Sequence, residues 1–124
     1  MPDCPDDDPA LPPDSLQQLQ ARLRAFAAER DWGRFHSPKN LASALIVEAA
    51  ELLEPFQWLT EAQSRELSGA PRQAVADEMA DVLLYLVQLA MALDVDLLAA
   101  AQDKMVRNAR KYPAPAQDPS SGQT

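Results

Sequence analysis

The sequence predicts an all-α fold, built as a four- to five-helix bundle. Apolar residues recur at helical spacing through residues 15–113, and no useful length of chain alternates polar and apolar residues with a period of two. Eight of the eleven prolines fall before residue 15 or after residue 112. We therefore expect one helical domain at residues 15–113, between an acidic, proline-rich disordered tail at residues 1–14 and a second disordered tail at residues 114–124.

The first helix is predicted from its N-cap and its apolar stripe. Ser15 can cap a helix that runs to about Arg30. The residues expected on its buried side are Leu16, Leu19, Leu23, Phe26 and Ala27. Residues 31–36 then form a loop.

The second helix has a capping pair at its start. Ser37 is the expected N-cap and Pro38 the first helical residue, where a proline lacks only a donor that has no helical partner. We expect this helix to end near residues 55–58. A short, weak helix over residues 61–67 then breaks at Gly69.

The fourth and fifth helices are bounded by prolines and aspartates. Pro71 is expected to open the fourth helix, which reaches about Leu93. Asp94 or Asp96 then caps a fifth helix, which stops at Tyr112 before a proline.

The charge distribution excludes several classes of partner. The net charge is −8, but residues 15–113 carry 13 acidic and 11 basic groups, with no basic motif or basic stripe of the extent that binds duplex nucleic acid. We therefore expect no nucleic acid as a partner. No apolar run reaches membrane-spanning length and the acidic start is unlike a signal peptide, so we expect no membrane partner and a cytoplasmic location. Cys4 is the single cysteine, which excludes an intrachain disulfide and a thiolate metal cage.

Two pairs of carboxylates lie in stretches that otherwise read as buried core. Glu48 and Glu51 share one face of the second helix, and Glu78 and Asp81 share one face of the fourth, because residues three apart lie on the same side of a helix. Buried carboxylates need cations. Hard Mg²⁺ suits such an all-oxygen ligand set, with Mn²⁺ as a possible substitute. The alternative is a pair of amphipathic helices whose acids face water.

The fifth helix carries a polar, cationic stripe. Its members are Lys104, Arg107, Asn108 and Lys111. Such a stripe suits a triphosphate near a metal. Alternatively, it is a solvated face whose cations complement the helix dipole.

Several rings are placed where they can line a pocket, although any one of them alone is more often core packing. Trp32 and His36 lie in the predicted loop, Trp58 lies at a helix end, and Tyr85 lies one turn beyond Asp81. Stacking on a base is tolerant of base identity, so polar readers are also needed. The candidate readers are His36, Asn40 and Asn108.

These residues resemble the MazG-like, all-α nucleoside triphosphate pyrophosphohydrolases, and within them the dCTP pyrophosphatase group. The acids match E-x-x-E at residues 48–51 and E-x-x-D at residues 78–81. The resemblance covers nearly all of residues 15–113. Its further segments are FAAERDW at 26–32, FHSPKNL at 35–41, FQW at 56–58, DVLLYL at 81–86, KM at 104–105, Asn108 and YP at 112–113.

The resemblance implies Mg²⁺-dependent hydrolysis between the α and β phosphorus atoms of a nucleoside triphosphate, which yields a monophosphate and pyrophosphate. The implied metal ligands are Glu48, Glu51, Glu78 and Asp81, with Glu48 also orienting or deprotonating the attacking water. The implied phosphate contacts are Lys104, Asn108, Lys111 and Tyr112, with Lys104 stabilising charge in catalysis. The remaining implied substrate contacts are Trp32, His36, Lys39, Asn40, Trp58 and Tyr85. Where some relatives place a polar ring facing the base, this chain has Leu23.

The expected substrates are dCTP and its 5-modified forms, in nucleotide-pool house-cleaning. A dUTPase and a broad-specificity nucleoside triphosphate pyrophosphatase are the alternatives within the superfamily. A regulatory nucleotide-binding protein without turnover and a non-catalytic helical interaction module are the alternatives from other classes. Relatives form dimers or dimers of dimers, so we expect a homo-oligomer, a tetramer or a dimer.

Overall fold

The computed structural model describes residues 15–116. The tail predicted at residues 1–14, and residues 117–124 of the second tail, lie outside these described residues. The helices are α1 (Leu16–Glu29), α2 (Pro38–Leu53), α3 (Glu61–Ser64), α4 (Gly69–Ala92) and α5 (Leu97–Lys111), with a 3-10 turn at Gly33–Phe35. Residues 15–116 contain no strand, so the all-α prediction is confirmed.

Three helices begin at side-chain caps that the sequence predicts. Ser15 Oγ accepts the Gln18 N–H at 3.0 Å, and Ser37 Oγ accepts the Asn40 N–H at 3.2 Å. Asp96, rather than Asp94, caps α5 and accepts a backbone N–H through its carboxylate. Each such cap satisfies a donor that has no partner inside its helix.

Other helix ends differ from the prediction. Helix α2 ends at Leu53, before residues 55–58, because the chain turns there and the Phe56 N–H donates to the Leu53 carbonyl at 2.9 Å. Helix α3 is only four residues long. Helix α4 begins at Gly69 and not at Pro71. Gly69 has φ +60°, a conformation that glycine adopts without a steric penalty.

The chain divides into two compact units, one up to Asp94 and one from Val95. In the first unit α2 packs along α4, and α1 packs against α4 less extensively. Within the described residues the buried apolar side chains are Leu41, Val75, Val87 and Ala90. Phe26, which is expected on the buried stripe of α1, is instead 44% exposed. Its ring lies at the end of α1, where it contacts the ring of Trp32 in the following loop.

The second unit contains α5, whose side chains are mostly exposed. Within residues 15–116 no single helix is long and apolar enough to cross a membrane, and only α4 and α5 taken together pass on length and composition.

Candidate metal centre and adjoining cavity

Helices α2 and α4 bring acids from both sequence pairs together. One carboxylate oxygen each from Glu48, Glu78 and Asp81 lies within 4.8 Å of the others. Leu41, at the start of α2, and Met91, at the end of α4, line the same cavity, which shows that these two helix ends are close together. The two helices therefore run antiparallel, and this direction sets the E-x-x-E segment opposite the E-x-x-D segment.

The acids perturb one another. Partial burial, hydrogen bonding to Glu51, and the charges of Glu51 and Asp81 raise the pKa of Glu48 to about 7. Burial and the charge of Glu51 also raise the pKa of Glu78. Glu51 is thus close enough to act on both neighbours, and the four acids form one group, called the acid cluster below. Like charges at such short range disfavour full ionisation.

The acid cluster has the properties of a cation site. Oε2 of Glu48 and Oε2 of Glu78 are buried without a hydrogen-bond partner among the described residues. The ion pairs of residues 15–116 join other acids to arginines and leave the cluster without a basic partner. Buried acceptor oxygens without a donor are costly. A divalent metal ion fits this set, because carboxylate oxygens are the ligands that hard cations prefer.

A cavity of about 240 Å³ adjoins the cluster and is called the ring cavity below. Asp81 belongs to both, since it lines the cavity and carries one of the clustered oxygens. The aromatic and polar lining residues, besides Asp81, are Trp32, His36, Tyr85 and Gln88. The apolar lining residues are Leu23, Phe26, Ala27 and Leu84. The site therefore joins an anionic end to a mostly aromatic and apolar chamber.

The end of α1 positions Trp32 in this wall. The Trp32 N–H donates to the Ala27 carbonyl at 3.0 Å and the Asp31 N–H donates to the Ala28 carbonyl at 3.3 Å, which together form a Schellman motif. Asp31 provides the left-handed residue of the motif, with φ 53°. The Trp32 ring then meets the Phe26 ring edge to face at a centroid distance of 5.3 Å.

Two further contacts extend this aromatic group. The Arg30 guanidinium lies over the Phe26 ring, 3.5 Å from its centroid. The His36 ring lies 6.1 Å from the Trp32 ring in an edge arrangement. Asn40 is bound elsewhere, because its Nδ2 donates to the Phe35 carbonyl at 3.0 Å and so holds the loop that carries His36.

A second cavity, of about 330 Å³, borders the ring cavity. The two cavities share four residues, which are Leu23, Ala27, His36 and Gln88. Leu23 therefore contributes an apolar wall to both.

The structure does not bring every predicted site residue to this chamber. Lys39 is exposed at the start of α2. Trp58 is 87% exposed in the turn after α2 and lines neither the ring cavity nor the second cavity. Lys104, Asn108, Lys111 and Tyr112 lie on or directly after α5 in the second unit, where all four are exposed. Their predicted phosphate contacts stay predictions.

Sequence reasoning missed Gln88. It lies seven residues after Asp81 and three after Tyr85, so helical spacing sets all three on one stripe of α4. A lone amide within the apolar run of residues 82–93 was the available signal. Phe26 was assigned to the core, but it lines the cavity.

An antiparallel helix pair that carries an acid cluster beside an aromatic cavity defines an all-α protein with a candidate metal centre. Residues 44–123 match the MazG-like family, and the chain belongs to that family. The predicted family resemblance is confirmed.

Named relatives and a solved structure agree with this assignment. The chain is 45% identical over 105 residues to human dCTP pyrophosphatase 1, covering 83% of this chain and 62% of the relative. It is 41% identical over 104 residues to the mouse protein of the same name, covering 82% of this chain and 61% of the relative. The chain thus spans about three fifths of the length of these curated relatives. A crystal structure of a pyrophosphatase from Archaeoglobus fulgidus superposes with a TM-score of 0.76 at 39% identity, covering 80% of this chain and 93% of the other.

Proposed function

We propose that this chain is a Mg²⁺-dependent nucleoside triphosphate pyrophosphohydrolase that converts dCTP, or 5-modified dCTP, and water to the monophosphate and pyrophosphate. The observation that carries the proposal is that Asp81 belongs to both the acid cluster and the ring cavity. A triphosphate bound through a metal at the acids therefore has a chamber for its base directly alongside. The names of the mammalian relatives support the choice of dCTP.

The acids have two roles in this proposal. Glu48, Glu51, Glu78 and Asp81 would hold Mg²⁺, which when bound polarises phosphoryl oxygens and neutralises their charge. Glu48 also orients the attacking water and accepts its proton. Without a metal, burial and the neighbouring acids raise the pKa of Glu48 to about 7, and a bound cation would lower it towards the ionised form that accepts a proton.

The base and sugar are assigned to the ring cavity. Trp32, His36 and Tyr85 line it, and its volume of about 240 Å³ suits a single ring better than a whole nucleotide. A 5-methyl group buried there contributes about 0.8 kcal/mol, or roughly fourfold in affinity. We therefore propose that 5-methyl-dCTP is at least as good a substrate as dCTP.

The remaining predicted contacts rest on the resemblance. We assign Lys104, Asn108, Lys111 and Tyr112 to the phosphates. Lys39, Asn40 and Trp58 complete the substrate-binding set, with Asn40 acting through the loop that it holds. Trp58 is proposed to contact substrate bound by a neighbouring subunit, since its ring is exposed and lines neither the ring cavity nor the second cavity.

A substrate panel tests the proposal. Purified protein should be assayed for pyrophosphate release from natural and 5-methylated dNTPs and NTPs, with Mg²⁺, with Mn²⁺ and with chelator. We expect release of pyrophosphate with either ion, none with chelator, and the highest kcat/KM for dCTP or 5-methyl-dCTP. Tenfold preference for dUTP or a purine triphosphate would overturn the substrate assignment. Nucleotide binding without any pyrophosphate would instead indicate a regulatory binding protein.

A further inference from the structure

Gln88 occupies a position that its sequence context does not explain by packing alone. It lines both the ring cavity and the larger cavity beside it, two helical turns beyond Asp81 on α4. The residue is half-buried, and its side-chain amide makes no hydrogen bond with any other residue of the described chain. A polar group in an apolar wall is favourable when a ligand satisfies it.

The other polar side chains near the chamber are less suited to reading a base. Asp81 is committed to the acid cluster. Asn40, the amide that the sequence suggested as a reader, donates to the Phe35 carbonyl. Tyr85 offers a single hydroxyl, and the two ring nitrogens of His36 are separated by a ring carbon and point in different directions. Gln88 alone among these lining residues presents a donor and an acceptor side by side, as a base edge does.

We propose that Gln88 is a specificity-determining residue that hydrogen-bonds to the edge of the base in the ring cavity. This inference rests on the proposed function and names how that site selects its substrate. A 4-amino pyrimidine offers an N–H donor at position 4 and an acceptor at N3, whereas a 4-oxo pyrimidine offers the reverse. Rotation of the amide by 180° satisfies either pattern.

Because the Gln88 amide can rotate, we expect the site to accept both cytosine and uracil. Strong rejection of a wrong base requires a donor or acceptor that is held in place and left unpaired by that base. No hydrogen bond within residues 15–116 holds the Gln88 amide in one orientation. The values of kcat/KM for dCTP and dUTP are therefore expected to differ by less than tenfold.

Two substitutions at Gln88 test its hydrogen bonds to the base. Gln88→Met keeps the length and removes both hydrogen-bonding atoms, so KM should rise at least tenfold for dCTP and dUTP together, with little change in their ratio. Gln88→Glu keeps only acceptors, so it pairs with the single donor of either base edge and leaves the acceptor of that edge unpaired, and KM should rise at least tenfold for dCTP and dUTP alike. Gln73→Met, at an exposed position on the same helix, is the control and should change neither quantity.

Two results would overturn the inference. A wild-type dCTP to dUTP ratio above tenfold in either direction would contradict the tolerance, and a Gln88→Glu variant with the wild-type KM for both substrates would contradict the contact with the base edge. Circular-dichroism melting of each variant distinguishes lost contacts from lost folding. If Gln88→Met does not fold, Gln88→Glu still decides.

A binding measurement separates this inference from the proposed function. Isothermal titration with dCMP and dUMP reports the base contact without any turnover. If no triphosphate is cleaved but both monophosphates bind within tenfold and Gln88→Met weakens both, the proposed function fails and the role of Gln88 stands. If neither monophosphate binds, the role of Gln88 fails as well.

Discussion

At the scale of single residues, Glu48 combines the features that hydrolysis needs. One of its oxygens is buried without a hydrogen-bond partner in residues 15–116, and burial with neighbouring acids raises the pKa of Glu48 to about 7. The same environment that makes it a good proton acceptor also makes it costly to ionise in the absence of a cation. The proposed role of Glu48 is therefore tied to metal occupancy.

Replacing Glu48 with glutamine should abolish most turnover and preserve the fold. The amide cannot accept a proton, and loss of a general base lowers kcat by about 10²–10⁴-fold. Pyrophosphate release under saturating Mg²⁺ measures this effect. Glu54→Gln is the control. Glu54 is exposed at the C-terminal end of α2, so this variant should retain wild-type activity. Normal turnover in Glu48→Gln would contradict its assignment.

The raised pKa of Glu48 predicts that metal-free protein loses stability as pH rises. Between its ordinary value of 4.5 and the folded value of about 7, the folded chain binds more protons than the unfolded chain. The free energy of unfolding therefore falls across this window. Glu78 shifts in the same direction, and the charges facing Glu48 come from Glu51 and Asp81.

The measurement is the melting temperature of chelator-treated protein from about pH 5 to about pH 8. We expect a fall in the wild type and a smaller fall in Glu48→Gln. A melting temperature that rises steadily over this range would contradict the coupling of these acids.

At the scale of elements, the end of α1 links local backbone geometry to the cavity. Asp31 has φ 53° in the Schellman motif that directs Trp32 towards Phe26. A left-handed conformation costs an L-residue with a Cβ about 1–2 kcal/mol relative to glycine. Its surface ion pair with Arg34, at 3.5 Å, contributes little against that cost.

We predict that Asp31→Gly is more stable than Asp31→Ala by about 1 kcal/mol, because only glycine adopts this backbone without strain. Urea unfolding of the two variants measures the difference. The control pair is Asp77→Gly and Asp77→Ala on the exposed side of α4, where the order should reverse because alanine favours a helix interior. Equal stabilities for the two Asp31 variants would contradict the strain.

The helix boundaries show which parts of the fold can be predicted from neighbouring residues in the sequence. The starts of α1 and α2 follow from Ser15 and Ser37, because a cap is a contact between residues three apart and is written locally in the sequence. The end of α2 at Leu53 follows less closely, because Pro55 marks only the neighbourhood of the end and the last helical residue is set by the turn at residues 53–56. Helix boundaries of this kind need more than propensity.

The residues of the candidate site likewise fall into those that the sequence predicts and those that it does not. Glu48 and Glu78 were predictable because acids in an apolar stripe are anomalous at helical spacing. Gln88 and Phe26 were not, because a single amide or ring in a helix resembles ordinary packing until α1 and α4 are brought together. The stripe of α5 stays a prediction for a related reason, since local spacing defines its face but not its neighbours.

At the scale of the whole molecule, the acid cluster couples metal binding to stability. Ions that bind only the folded chain raise its free energy of unfolding by about 2.7 kcal/mol at a hundredfold excess over the dissociation constant. We therefore expect millimolar Mg²⁺ to raise the melting temperature and chelator to lower it. Asp81→Asn should reduce this shift, whereas Asp103→Asn on α5 should not. An indifferent melting temperature in wild-type protein would contradict the metal site.

The described chain also leaves much apolar surface uncovered. Ile46 and Leu53 on α2, and Met79 and Leu83 on α4, are exposed at spacings that set each pair on one helical face. Surfaces of this kind are typical of subunit interfaces. Together with the exposure of Trp58, they support the proposal of a homo-oligomer, a tetramer or a dimer, in which a neighbour completes the substrate site.

Light scattering at micromolar concentration tests this assembly, and we expect a mass of two or four chains. Ile46→Asp and Met79→Asp should each lower that mass, because a buried unpaired charge at an interface costs several kcal/mol. Ala62→Asp, at an exposed position on α3, should leave the mass unchanged. If assembly completes the site, the two interface variants should lose dCTP turnover in parallel with mass, while their metal-dependent melting shift persists. A wild-type monomer with full activity would contradict both the oligomer and the shared site.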